Sequence, residues 1–198
     1  MNNWREIGPV VLLQIQREPM KEGTTTRVYK PDRLAQVERI WLTPAGVTAE
    51  LNGERVFDAH NAHHPRTRNT GANPLSFGLT GYYAQMKARF GDHMTFGIAG
   101  ENILIKTDIL LTEDDIQGEI ALRGADGRLT VLKDILVAPP CKPFSAFCLG
   151  SIEDKVEPHT IAETLRFLNN GTRGFYAAPA SSDETEIRLG DVMLVSVN

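Results

Sequence analysis

The chain contains two cysteines, and they stand in contrasting surroundings. Cys141 follows Pro139 and Pro140 at the end of an apolar run and precedes Lys142. A neighbouring cation and partial exposure favour the thiolate, the form that binds soft metals and attacks electrophiles. Cys148 lies in the apolar stretch FSAFCLG, a setting that raises the pKa of a thiol and hides it from solvent. We therefore predict that Cys141 is the reactive thiol and Cys148 a structural one, the alternative being two inert thiols.

A glycine-rich turn precedes the second candidate, in the segment GIAGENILI over residues 97–105. Gly97 and Gly100 permit backbone angles that other residues disfavour. Glu101 and Asn102 follow at the start of a strand, where a carboxylate and an amide together match the donor and acceptor edge of a heterocycle. The alternative is that both side chains tie the loop to the backbone.

Three histidines and two arginines are concentrated in the segment DAHNAHHPRTRN. They are His60, His63, His64, Arg66 and Arg68. Two histidines three residues apart can contribute to a zinc site, but zinc requires a third or fourth ligand. A guanidinium group binds phosphate through two hydrogen bonds, so the arginines favour an anion site over a structural metal. A solvated loop remains the alternative.

A fourth candidate is a single arginine in the segment GTRGFYAAP. Gly171 and Gly174 flank Arg173, which places one cation in a tight turn before a strand. Glu101, Cys141 and Arg173 each lie where a strand meets a turn. Because such positions lie at the ends of a sheet, we predict that these three residues surround one concavity.

The elements that must position these residues are mostly strands. Segments rich in β-branched residues or with alternating apolar residues cover residues 10–17, 35–43, 46–51, 102–111, 119–137 and 191–197. The segment 119–137 is predicted to form a hairpin around Asp126-Gly127. Residues 52–75 and 177–186 lack a clear period and are predicted to be long loops.

Two helices are predicted as well. Apolar residues at helical spacing mark the first, over residues 79–91, and Gly91 ends it. Thr160 and Glu163 have the spacing of a capping box at the start of the second, which Asn170-Gly171 ends. The expected fold class is therefore mainly β with a few helices (α+β), in one domain built around a barrel-like sheet.

Composition excludes several classes of function. With 198 residues, 41% of them hydrophobic, the chain is typical of one globular domain, and its net charge of −4 gives no support for nucleic-acid binding. No segment approaches the roughly 20 apolar residues of a membrane span, and the N-terminus does not have the pattern of a signal peptide. We therefore expect a cytoplasmic protein without membrane contact. Common nucleotide, zinc-protease and serine-hydrolase motifs are absent.

Taken in order, these motifs resemble the MOSC domain family, named for the C-terminal domain of molybdenum cofactor sulfurase. The resemblance extends over about residues 36–195, with residues 1–35 as an N-terminal strand extension of a single domain. It is carried by four short motifs in the family's order. They are Gly100-Glu101-Asn102, Pro140-Cys141, Arg173-Gly174 with Tyr176, and Gly190-Asp191.

The resemblance implies a β-barrel of the pyruvate-kinase-barrel type that receives a molybdenum or tungsten pterin cofactor or carries sulfur. In this family the motif cysteine is a metal ligand or a persulfide carrier, and Cys141 matches it. Further positions are expected to bind the cofactor. They are Gly100, Glu101, Asn102, Arg173, His60, His63, Arg66 and Arg68.

Three functions follow as expectations from this resemblance. The first is an oxidoreductase that reduces N-hydroxylated substrates and takes electrons from an external reductase. The second is a sulfur carrier or cofactor-handling protein with a persulfide on Cys141 and a separate sulfur donor. The third is a binding module that has kept the fold but lost catalysis, which the absence of an arginine in Val137-Ala138-Pro139 favours. The expected ligand is a small cofactor or substrate, and the chain is expected to be a monomer or homodimer.

Overall fold

The structure, a computed structural model, describes residues 3–67, 72–112 and 114–197. Strands dominate the part of the chain that it describes. They are β1 (Asn3–Gln16), β2 (Lys21–Glu22), β3 (Val28–Tyr29), β4 (Leu34–Val37), β5 (Arg39–Thr43), β6 (Gly46–Leu51), β7 (Glu54–Phe57), β8 (Leu75–Leu79), β9 (Ile103–Ile105), β10 (Ile120–Arg123), β11 (Leu129–Val137), β12 (Phe175–Pro179), β13 (Thr185–Arg188) and β14 (Val192–Val197). The helices are α1 (Thr80–Phe90), α2 (Lys142–Cys148) and α3 (Pro158–Leu168).

Seven strands close into a β-barrel. Their order is β14-β10-β11-β12-β8-β9-β1, and pairing of β1 with β14 completes the ring. All neighbours are antiparallel except β8 and β9, which are parallel and are connected by α1. A second sheet has the order β13-β5-β6-β7, and β2 and β3 form a short hairpin. The predicted fold class, an α+β protein with a MOSC-like barrel, is confirmed.

The long strand β1 closes the barrel because it bends. Its first half pairs with β14, and its second half pairs with β9 and β4. The register shifts between Glu6 and Gly8. A Cβ atom at Gly8 would lie 2.0 Å from the carbonyl oxygen of Lys106, so only glycine allows this close approach. The predicted N-terminal extension thus contributes a strand to the barrel itself.

Apolar side chains from alternate strand positions fill the barrel. Phe77 of β8 and Phe175 of β12 stack at the centre with ring centroids 5.1 Å apart, and both are fully buried. Truncating such a residue to alanine typically costs about 3–5 kcal/mol. Residues from the second sheet, such as Ile40 and Leu42, join the same core.

The helices pack outside the barrel and enclose a second core. Leu104 of β9 points outward into this core, where it meets Tyr83 and Met86 of α1 and Phe144 of α2. Tyr29 of the β2–β3 hairpin covers α2, with its ring 5.0 Å from that of Phe144. The candidate site lies where this second core meets the barrel wall.

Several predicted elements are confirmed. The 119–137 segment forms the β10–β11 hairpin with Gly127 at a φ of 81°, and α1 ends at Gly91 as predicted. Arg173 lies in a tight turn directly before β12, in which Gly171 and Gly174 have positive φ angles.

Other expectations need correction. The strand predicted over 102–111 covers only Ile103–Ile105. The predicted loop 52–75 contains β7, because Asn52 and Gly53 both adopt positive φ and form a tight hairpin turn with β6. The predicted capping box is wrong: α3 begins at Pro158, and Thr160 lies inside its first turn without capping it.

None of the helices in the described residues has the length and hydrophobicity needed to cross a membrane.

Candidate functional site

A narrow cavity opens on the outer wall of the barrel, where β8 and β12 pair. Phe77 and Phe175 point into the barrel, so the alternate residues Ser76 and Tyr176, which are paired across the two strands, face outward. The cavity and its open mouth together have a volume of about 260 Å³, and the enclosed part has room for about one water molecule. Its polar lining consists of Gln16, His60, Ser76, Glu101, Arg173 and Tyr176.

Glu101 is a buried carboxylate on this cavity and is only 3% exposed. Its Oε1 accepts a hydrogen bond of 2.7 Å from the Tyr83 hydroxyl. Its Oε2 is buried and has no hydrogen-bond partner among the described residues. Burial raises the pKa of this carboxyl above its ordinary value. The Tyr83 hydrogen bond, the backbone N–H of Glu101, the Arg173 charge and the backbone N–H of Gly100 offset only part of the effect.

Two buried glutamines of β1 hold the turn that carries Glu101. The Gln14 amide donates to the carbonyl oxygens of Gly97, at 2.7 Å, and Glu101, at 2.8 Å. The Gln16 amide donates to the carbonyl of Gly100 at 2.8 Å. Glu101 thus sits on a turn fixed to the barrel, which is the kind of support that a precise binding site requires.

Two glycines make room for this arrangement. Gly78 of β8 lies directly under the carboxylate, because a Cβ atom there would be 2.4 Å from Glu101 Oε1. Gly100 has a φ of 87°, and a Cβ atom there would lie 2.8 Å from the sulfur of Met20. The glycine that the sequence singled out before Glu101 is therefore needed both for its backbone angle and for close packing.

Arg173 faces the cavity from the turn before β12. Its guanidinium carbon lies 5.8 Å from the centroid of the Phe144 ring, and Nη2 makes a long contact of 3.5 Å with the carbonyl oxygen of Ala99. Its Nε is buried and has no hydrogen-bond partner among the described residues. Burial lowers the pKa of Arg173, but four nearby acidic groups raise it more. They are Tyr176, Tyr29, Cys141 and Glu101, and the guanidinium group therefore remains a cation.

Cys141 lies beside the cavity rather than in its lining. It is the N-terminal cap residue of α2, is partly buried, and packs against the second core. The N–H of Ala138 donates to the carbonyl of Gly174 at 2.9 Å, which joins the approach to Cys141 to the turn that carries Arg173. The Cys141 thiol is close enough to Arg173 and Tyr29 to raise the pKa of both residues. The structure therefore brings Glu101 and Arg173 into one cavity and places Cys141 next to it.

Cys148 differs from Cys141 as the sequence indicated. It is 1% exposed in the second core, and burial, with a smaller contribution from Cys141, raises its pKa to about 12. Such a thiol stays protonated and unreactive at neutral pH.

Asn102 has a different role from its neighbour Glu101. Its Oδ1 accepts from the N–H and the hydroxyl of Ser76, at 3.1 and 3.0 Å. Its Nδ2 donates to the carbonyl of Gln14 and to Asp58 Oδ2. All four hydrogen-bonding positions of this buried amide are thus used within the protein, which corresponds to the structural alternative stated above for this residue.

The histidine segment separates into distinct parts. His60 lines the cavity, and its Nδ1 lies 3.1 Å from the buried carboxylate of Asp58. His63 is exposed and packs on Phe57, with ring centroids 6.0 Å apart.

His64 and Arg66 are not among the residues that line the cavity. His64 Nε2 lies 3.1 Å from the Arg17 carbonyl. Arg66 pairs with Glu18 at 2.9 Å on the surface, and Arg68 lies outside the described residues. Within the described ranges, no group of three or more His, Cys, Asp or Glu side chains is arranged to hold a metal ion.

Several residues of the site are not singled out by the sequence analysis. Tyr83 lies within the helical pattern of residues 79–91 and is not distinguished there, although a buried tyrosine hydroxyl usually requires a partner. Asp58 organises the start of the histidine segment by accepting from the N–H of Gln16 at 2.7 Å and of His60 at 2.8 Å. Gln16 itself, with Gln14, interrupts the apolar run of β1, and buried polar residues in such a run indicate hydrogen bonding to another element.

Comparison with known proteins shows structural similarity at the level of the fold. No family model matches the chain, and no curated protein matches it in sequence. Among solved structures, the YuaD protein from Bacillus subtilis aligns over 100% of both chains with a TM-score of 0.57 and 13% identity.

Two further structures align with most of the chain. The alignment with a hypothetical protein covers 98% of this chain and 70% of the hypothetical protein, with a TM-score of 0.52 and 13% identity. The alignment with YiiM from Geobacillus stearothermophilus covers 99% of this chain and 76% of YiiM, with a TM-score of 0.50 and 18% identity. At these identities the likeness concerns the fold alone, and the fold is MOSC-like.

Proposed function

We propose that the protein binds a molybdenum or tungsten pterin cofactor through Cys141 and reduces N-hydroxylated substrates beside it. The observation that carries the proposal is a pair of buried polar atoms, Glu101 Oε2 and Arg173 Nε, that have no hydrogen-bond partner among the residues that the structure describes. Both residues line one cavity next to a partly buried cysteine. Leaving such atoms unpaired costs about 1–3 kcal/mol each, so a polar ligand that pairs them is stabilised.

The residues present suit one end of such a cofactor. A pterin cofactor brings its own sulfur ligands to the metal, so the protein needs to add only one soft donor, and Cys141 is of the right type. The stretch Val137-Ala138-Pro139 before Cys141 contains no arginine, and Arg66 is paired with Glu18. We therefore assign the negatively charged group of the ligand to Arg173. The enclosed part of the cavity admits only a terminal group, and the rest of the ligand lies toward the open side.

Each residue then has a separate task. Cys141 would hold the metal as a thiolate, and its position as cap of α2 after two prolines fixes its backbone. Arg173 attracts the charged part of the ligand, and Tyr83 holds Glu101 in place. When bound, the metal centre supplies the two-electron chemistry, with electrons from an external reductase.

Metal and pterin content tests the proposal directly. The wild type, Cys141→Ser and Cys148→Ser are produced in a host that makes the cofactor, and the purified proteins are analysed for molybdenum, tungsten and pterin. We expect stoichiometric metal in the wild type and in Cys148→Ser, and its loss in Cys141→Ser because a hydroxyl is a poor ligand for a soft metal. A folded wild type without metal, or a Cys141→Ser variant that keeps it, contradicts the proposal.

A second candidate function is sulfur transfer. It is favoured by the partial exposure of Cys141 beside the Arg173 cation, which stabilises an anionic persulfide. Intact-protein mass spectrometry after incubation with a sulfur donor tests it. A mass increase of one sulfur atom that maps to Cys141 in metal-free protein supports this candidate over the first, and no increase removes it.

A further inference from the structure

The hydrogen bonds around Tyr83 fix which oxygen of Glu101 can carry a proton. The Tyr83 hydroxyl accepts from the backbone N–H of Ala99 at 3.1 Å. A phenol has one proton to donate, and the hydroxyl lies 2.7 Å from Glu101 Oε1, so that proton goes to Oε1. Oε1 is therefore an acceptor, and a protonated Glu101 carries its proton on Oε2, the buried oxygen that has no hydrogen-bond partner within the described part of the chain.

The second unpartnered atom in the cavity is also a donor. Arg173 Nε always carries a hydrogen, because guanidinium groups are not deprotonated in proteins. With Glu101 protonated, the two unpaired buried positions both offer hydrogens and neither accepts one. A ligand group with acceptors alone pairs both of them.

We propose that the enclosed end of the cavity receives one charged oxygen of a small oxyanion, bound between Arg173 Nε–H and the Oε2–H of Glu101, while the rest of the anion lies toward the open side, and that Glu101 takes up one proton from solvent as the ligand binds. This proposal rests on the proposed function, because it names the ligand group that enters the same site. It reverses the role expected from the sequence, in which the Glu101 carboxylate accepts hydrogen bonds from a heterocycle.

The surroundings of Glu101 support proton uptake. The titratable and charged groups that face it are Tyr83 from α1, Tyr29 from the β2–β3 hairpin, Arg173 from the turn before β12, and His60 and Tyr176 on the cavity lining. Burial already raises the pKa of Glu101, and a bound anion raises it further because two like charges in one small cavity repel.

Nitrate is the probe for the test, because it is small, planar and does not titrate between pH 5 and 9. Binding to metal-free protein is measured by isothermal titration calorimetry over this range, and at one pH in two buffers of different ionisation enthalpy to count protons. We expect uptake of up to one proton per nitrate, and an affinity that falls about tenfold per pH unit above the pKa of Glu101 in the free protein.

Glu101→Gln is the decisive variant, because its amide nitrogen donates where Oε2–H stood while its oxygen accepts from Tyr83. We expect it to bind nitrate with no dependence on pH above pH 5. Arg173→Lys removes Nε–H and is expected to weaken binding roughly ten- to a hundredfold. Glu163→Gln, on the exposed face of α3, is the matched control and should behave as the wild type.

Failure of the inference is distinguishable from failure of the proposed function. No nitrate binding by the wild type, an affinity that rises with pH, or loss of binding in Glu101→Gln overturns the oxyanion assignment whatever the metal content. A wild type without metal that binds nitrate with proton uptake overturns the proposed function and leaves the oxyanion assignment supported.

Discussion

Replacing Glu101 with glutamine should stabilise the protein at neutral pH. The carboxyl is 3% exposed, and its Oε2 has no partner within the described residues. Burial raises its pKa above the value of about 4.5 that it has in the unfolded chain. Between these two pKa values the folded state binds a proton that the unfolded state has released, so the stability is fully present below about pH 4.5 and is lost as the pH rises through the folded pKa.

The expected magnitude follows from the unpaired oxygen. An unsatisfied buried acceptor costs about 1–3 kcal/mol, and a charged one costs more. Glutamine keeps an acceptor for Tyr83 and replaces the unpaired charged oxygen with an uncharged amide group. Because the charge is removed, Glu101→Gln should gain about 1–3 kcal/mol at pH 7. For a chain of this size, each kcal/mol shifts the melting temperature by roughly 2–4 °C.

Thermal unfolding followed by circular dichroism from pH 4 to pH 8 provides the assay. The difference between Glu101→Gln and the wild type should be small at pH 4 and grow as the pH rises, whereas exposed Glu163→Gln should show no such trend. A variant less stable than the wild type at pH 7, or a difference that does not change with pH, refutes the reasoning, because it would mean that the ionised carboxylate is well satisfied in the folded protein.

Three further predictions concern neighbouring residues. Alkylation at neutral pH followed by peptide mass mapping should label Cys141 before Cys148, and faster labelling of Cys148 contradicts the assignment. Cys148→Ser should lower the free energy of unfolding by about 1–3 kcal/mol, because it buries a hydroxyl without a partner. Asn102→Ala should lower the free energy of unfolding in urea by about 2–4 kcal/mol, because it leaves several buried groups unpaired, and a loss below 1 kcal/mol argues against a structural role. Gly78→Ala should cost about 1–3 kcal/mol because its Cβ meets Glu101 Oε1, and this cost should shrink in a Glu101→Ala background.

The fold was predictable from local signals where these were strong. Turn residues marked the β10–β11 hairpin, and α1 showed a helical period that ended at a glycine. The helix α2 was missed because seven residues are too few to show a period, and its two prolines and its cysteine suggested only a corner. The start of α3 was misplaced because Pro158 suits the first helical position and outweighed the capping pattern at Thr160.

The site was predictable only in part, because the roles of its residues depend on hydrogen bonds to residues that are distant in the sequence. Glu101 and Asn102 are adjacent and look equivalent in the sequence. Their partners, Tyr83 for the first and Ser76 and Asp58 for the second, lie 18 to 44 positions away along the chain. Only the folded barrel shows that Asn102 is fully paired, whereas one oxygen of Glu101 has no partner among the residues described.

The length of α2 also determines what can happen to Cys141 under oxidising conditions. The helix separates Cys141 from Cys148 by two turns, about 10 Å at 1.5 Å per residue. A disulfide requires Cα atoms within about 7 Å, so these two thiols cannot close a bond while the helix is intact. Since the chain has no other cysteine, a sulfenic acid formed on Cys141 has no internal thiol to resolve it. Recovery of the reduced protein therefore depends on an external thiol that can reach the mouth of the cavity.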